Sequence, residues 1–151
     1  MKRIVLALMV ITLSSCGSLW EYRSLNEMAG MVWKSSDVQH FNAEVSKDGI
    51  YDVIILFRHV HGFPYADLGV EFGMTGNKID IQESIIIPII GDDKEYLGEG
   101  SVDIWDVEHT VLHDQKLSPG KYSIDIGHNM NTKDLQLVME VGIMIKSSEE
   151  K

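Results

Sequence analysis

The sequence predicts an all-β fold: an antiparallel β-sandwich of jelly-roll-like topology with about eight strands. Three observations predict it. Apolar and polar side chains alternate with a period of two in several segments, as a half-buried strand requires. Turn signals built from Gly, Asp, Asn and Pro punctuate those segments at short intervals. Helical periodicity, in contrast, fails almost everywhere past the N-terminal leader. A small closed barrel would use the same ingredients.

Residues 16–37 are expected to be an anchor and tether merging into a first edge strand. They mix Ser, Asn, Glu and Gly with scattered apolar side chains such as Trp20, Leu25 and Trp33. The sandwich itself is assigned to residues 38–145. In its first strand Phe41, Ala43 and Val45 alternate with His40, Asn42 and Glu44, before the turn Lys47-Asp48-Gly49. Residues 50–60 hold Tyr51, Val53, Ile54, Ile55, Leu56 and Phe57. A run that continuous suits a central strand buried on both faces.

His61-Gly62-Phe63-Pro64-Tyr65 interrupts the ladder, since proline lacks a donor. Residues 68–72 resume it, Thr75-Gly76-Asn77-Lys78 turns, and residues 79–90 run back. Gly91-Asp92-Asp93-Lys94 turns again, and residues 102–107 and 110–112 read as two short strands. After Ser118-Pro119-Gly120 comes the alternating Tyr122-Ser123-Ile124-Asp125-Ile126. Residues 129–135 read as irregular or briefly helical, residues 138–145 as the last strand, and 146–151 as a disordered polar tail.

Residues 1–15 have the layout of a cleaved secretory signal: Lys2 and Arg3, a short apolar core from Ile4 to Leu13, then small residues. The core is too short to span a bilayer, which takes about 20 helical residues. Leu13-Ser14-Ser15-Cys16-Gly17 resembles a bacterial lipobox, and the chain's one cysteine stands where lipid would be attached. The expected product begins at an acylated Cys16 and is held to a bilayer by its acyl chains without spanning it.

Loss of the leader removes two of 13 basic residues and none of 23 acidic ones, leaving a net charge of −12. Such a head repels phosphate backbones, so nucleic acid is an unfavourable partner. With Cys16 lipidated, no thiol is left for a disulfide, a redox centre or a cysteine-based metal site. The core must hold the fold.

Signals for chemistry are sparse. His59 and His61 form a His-x-His pair that would share one strand face and could contribute to a zinc or copper site. Nothing in the spacing of His40, His109, His113 or His128 supplies further ligands, so no metal and no cofactor is expected. His109 and His113 lack the internal Glu of a helical zinc motif. Asp92, Asp93 and Glu95 lack calcium-loop spacing. Ser118 has no nucleophile-elbow setting, which leaves no catalytic residue to name. Trp33, Phe63, Tyr65 and Trp105 either seal the end of the core, the more ordinary role, or offer a stacking platform for sugar rings, with Phe63, Tyr65 and Trp105 the candidates for a binding surface. A carbohydrate-binding surface lipoprotein is therefore the alternative function.

Several blocks, taken in order, resemble the gliding-motility lipoprotein GldH family of Bacteroidota. They are Leu56-Phe57-Arg58-His59, Phe63-Pro64-Tyr65-Ala66-Asp67-Leu68, Ile87-Pro88-Ile89, Tyr96-Leu97-Gly98-Glu99-Gly100, Asp103-Ile104-Trp105-Asp106, Pro119-Gly120-Lys121-Tyr122 and Val141-Gly142-Ile143. Phe63 stands in place of the usual Tyr, and Gly69 where an aromatic is common. The resemblance implies a non-catalytic lipoprotein that contacts envelope proteins of the gliding apparatus, which works alongside type IX secretion. Gly17 rather than Asp after the cysteine favours the outer membrane, facing the periplasm. Arg58, at the end of a buried strand, is expected to satisfy carbonyls around the Phe63 corner.

Overall fold

The computed structural model describes residues 20–148. The leader, Cys16 and residues 149–151 lie outside them. The described chain is an all-β sandwich of antiparallel strands, eleven rather than about eight.

Strands β1 (Tyr22–Glu27), β11 (Val138–Ser147), β4 (Gly49–Val60), β8 (Ile104–Leu117) and β7 (Glu99–Ser101) form one sheet, in the order β1-β11-β4-β8-β7. Strands β3 (Gln39–Val45), β9 (Gly120–His128), β5 (Asp67–Gly76) and β6 (Ile79–Pro88) form the other, in the order β3-β9-β5-β6. Short β2 (Val32–Lys34) and β10 (Asp134–Gln136) pair as a separate ribbon.

The alternation read from the sequence decides what lies between the sheets. Phe41, Ala43 and Val45 of β3, Tyr122, Ile124 and Ile126 of β9, and Leu68, Val70, Phe72 and Met74 of β5 meet Val53, Ile55, Phe57, Val141, Ile143 and Ile145 of the larger sheet. β4 sits between β11 and β8, and its second face holds a smaller apolar cluster with Ile54, Leu56 and Met144. That explains its unbroken apolar run.

Tight turns close one end of the sandwich, and the long connections lie at the other, together with the short β7–β8 turn. At the first end Asn77 and Lys78, with φ of 41° and 69°, make the β5–β6 turn. The Asn77 side chain donates to the Pro119 carbonyl at 2.8 Å. Tyr122 holds the β8–β9 turn there: its hydroxyl donates to the Ser118 carbonyl at 2.8 Å and accepts the Ser118 N–H at 3.1 Å.

The structure departs from expectation in four places. Trp33, within the segment expected as tether and first edge strand, is fully buried and is no platform, while β1 pairs with β11 as an edge strand. The 129–135 segment is irregular and then forms β10, whose Leu135 lies opposite Trp33. The two short strands expected at 102–107 and 110–112 are one fourteen-residue strand, β8. Register shifts against β4 disguise its period, and the Asp52 carboxylate accepts the Asp114 N–H at 3.0 Å within the irregular stretch. Finally, β11 runs on to Ser147, beyond the expected end at residue 145.

Candidate functional site

The residues singled out from the sequence converge at the end with the long connections, though not as an open platform. Where β4 ends, alternation turns His59 inward and Arg58 outward. His59 is fully buried, with Phe57 at 5.6 Å, Phe63 at 5.2 Å and Tyr96 at 4.9 Å between ring centroids. Tyr65 packs edge-on to Phe63 at 5.5 Å, and Tyr96 lies 5.4 Å from Trp105. Phe63 is buried, while Tyr65 and Trp105 are half-buried. These rings seal the end of the core.

Tyr96 is the member that sequence reasoning missed. Its hydroxyl accepts the Gly62 N–H at 2.9 Å and donates to the Phe63 carbonyl at 3.1 Å, clamping the corner after β4. The available signal was its position at the head of the Tyr96-Leu97-Gly98-Glu99-Gly100 block. Gly98 has its own requirement: φ is +94°, and a Cβ there would stand 2.1 Å from the Asp106 carbonyl oxygen. Gly142 likewise lets β1 lie close, for a Cβ would come 2.4 Å from the Ser24 carbonyl oxygen.

His59 and His61 pack on the same Tyr96 ring but differ in exposure. His61 lies beyond the strand, exposed in the turn, with its ring on Tyr96 at 5.6 Å. The His59 Nδ1–H donates to the Val60 carbonyl at 3.1 Å, and buried Nε2 lacks a partner. Among the described residues no group of three or more His, Cys, Asp or Glu side chains could hold a metal. Asp93 instead accepts the Glu95 N–H at 3.1 Å within its own turn.

Arg58 does not serve the Phe63 corner, because its side chain projects from the opposite face of β4. Its guanidinium grips the Asp106 carboxylate with two hydrogen bonds, 2.7 Å from Nε and 3.1 Å from Nη2, and donates a third to Glu140. Asp106 and Glu140 stand directly opposite Arg58 on its two neighbouring strands. The Asp106 hydrogen bonds are the main reason that the guanidinium pKa is raised.

Burial pushes the imidazoles of His59 and His128 below the usual histidine range. Folding therefore keeps them neutral. The unfolded chain binds more protons once pH drops below the ordinary value of about 6.5, so the stability these groups contribute is full above it and falls below it. The melting temperature is expected to drop between about pH 7 and pH 5. His59→Phe should flatten that drop, whereas an identical slope in the variant would remove His59 as a source.

Against known proteins, the GldH lipoprotein family matches residues 21–145, which takes in every strand except the last two residues of β11. No curated protein matches the chain. Among solved structures it is similar to the structure of Eiger TNF from S. frugiperda, at 11% identity and a TM-score of 0.34. That likeness covers 71% of this chain and 64% of the other, and it carries no functional argument.

Proposed function

The chain belongs to the GldH lipoprotein family, and we propose from that premise that it is a non-catalytic component of the gliding-motility apparatus acting through protein contacts. The match over residues 21–145 carries this reading. The lipobox-like Leu13-Ser14-Ser15-Cys16-Gly17 supports the rest of it. The leader is cut before Cys16, palmitate or a similar acyl chain is added there, and the head stays at the outer membrane on its periplasmic side.

Cys16 precedes Trp20 by four residues, a span of about 14 Å at full extension. β1 begins at Tyr22, so the end of the sandwich with tight turns lies nearest the bilayer and the end with long connections faces partners. No helix among the described residues is long and apolar enough to cross a membrane. The carbohydrate reading has weaker support, because Phe63 is buried and Tyr65 and Trp105 pack in the same aromatic seal.

Deleting the gene should abolish colony spreading while leaving growth intact, and complementation should restore it. In the wild type, cross-linking in intact cells should capture gliding or type IX secretion components. Normal spreading in the deletion strain, with purified protein binding a glycan array, would reject the role.

A further inference from the structure

The two sheets are joined along one side and open along the other. On the joined side β1 and β3 are in contact, and the Asn26 side chain donates to that of Gln39 at 3.0 Å. On the open side stand β6 and β8. Strand β8 has fourteen residues, yet β7 pairs only with Ile104, Trp105 and Asp106. Past Asp106, no strand among the described residues pairs with β8 on the side away from β4.

β7 stops for a local reason: Gly98, in its left-handed conformation, carries the chain away from the ladder. The β7–β8 turn has two residues, Val102 and Asp103, which makes Ser101 and Ile104 a hydrogen-bonded pair. Every second residue of β8 then directs its N–H and C=O toward β7. For Ile104 and Asp106 the partners are Ser101 and Glu99; for Glu108, next in step, β7 has ended. A recess lined by Gly98, Glu99, Asp106 and Glu108 marks the place.

We infer that β8 takes an added strand here: an extended segment of another protein, with Lys or Arg at alternate positions, that continues the line of β7 beyond Gly98. Charge sets one face of that segment. Its outer side chains would lie beside exposed Glu108 and Glu99, which share a recess with Asp106, held by Arg58, and with Arg23 of β1. The inner face is largely apolar, beside Val107, half-buried His109 and half-buried Val111, with the half-buried Ile79, Ile81 and Ile85 of β6 across the opening. A second copy of this chain is disfavoured, because pairing two such edges would set carboxylates against carboxylates. The edge is thus guarded against its own kind and open to a basic strand.

This inference deepens the docking role proposed above and rests on it. Its test uses the full chain in detergent, a synthetic peptide of about six residues alternating lysine with valine, and a counterpart alternating glutamate with valine. The lysine peptide should bind and slow hydrogen exchange at the Glu108 amide, and the glutamate peptide should not. Glu108→Pro, which removes the outward N–H, should abolish binding. Glu108→Lys, which leaves the backbone untouched, should weaken it by about fivefold and keeps the test decisive if the proline variant misfolds. Equal binding of both peptides, unchanged affinity in Glu108→Lys, or a Glu108 amide already protected in the free chain would overturn the inference. Failure here with gliding lost in the deletion strain rejects the edge alone; normal gliding in that strain rejects the role itself.

Discussion

Replacing Trp33 with alanine is expected to destabilise the head by about 3–5 kcal/mol, a loss that urea unfolding would read as a large drop in midpoint with little change in slope. The indole is fully buried, so truncation opens a large void beneath the β2–β10 ribbon. It also removes two specific contacts. The Trp33 Nε1–H donates to the Asp37 carbonyl at 2.9 Å, and the ring meets His128 edge-on at 5.1 Å. A ribbon of two three-residue strands has little stability of its own and depends on what it covers. Because the His128 Nε2–H donates to the Trp33 backbone carbonyl at 3.1 Å, some order should survive in Trp33→Phe, which ought to lose less than half as much. A midpoint shift equivalent to less than about 1 kcal/mol in the alanine variant would mean that residues 28–37 contribute far less than their burial implies.

The second large effect concerns attachment. Cys16→Ser is expected to bring incorporation of labelled palmitate to background and to abolish spreading, with the folded head unaffected. Thioether and amide acylation both require that cysteine, and no other residue of its type exists in the chain. Each buried methylene contributes about 0.8 kcal/mol, so two or more chains hold a head that a single one would hold only marginally. Exchanging residues 1–16 for an ordinary cleavable signal peptide separates anchoring from export: the head should then appear in the soluble periplasmic fraction. Label retained by the serine variant, or a wild-type mature terminus elsewhere than Cys16, would defeat the proposal of a lipid anchor.

The aromatic seal, the Arg58 ladder and the open edge of β8 differ in how far they could be foreseen. His59, Phe63, Tyr65 and Trp105 all drew attention as residues, but their grouping around Tyr96 follows from a corner closed across 33 and 34 positions of sequence. Arg58 was visible as a charge ending an apolar strand. Its partners were not, because Asp106 and Glu140 lie 48 and 82 positions away and meet it only through strand register. A shift of one residue in that register would have turned every side chain of β4 to the other face.

By itself the sequence determined the strand class, the central place of β4, the tight turns, the acidic balance and the expected lipid site at Cys16. Each of these follows from neighbours within a few positions, where a period of two, a turn dipeptide or a leader pattern is complete. Only the tertiary structure decided that Trp33 is core, that His59 is buried while His61 is exposed, that Arg58 binds carboxylates and that β8 has an unpaired edge. The reason is physical: burial and pairing depend on which strand becomes a neighbour, and in a sandwich that neighbour comes from distant parts of the chain.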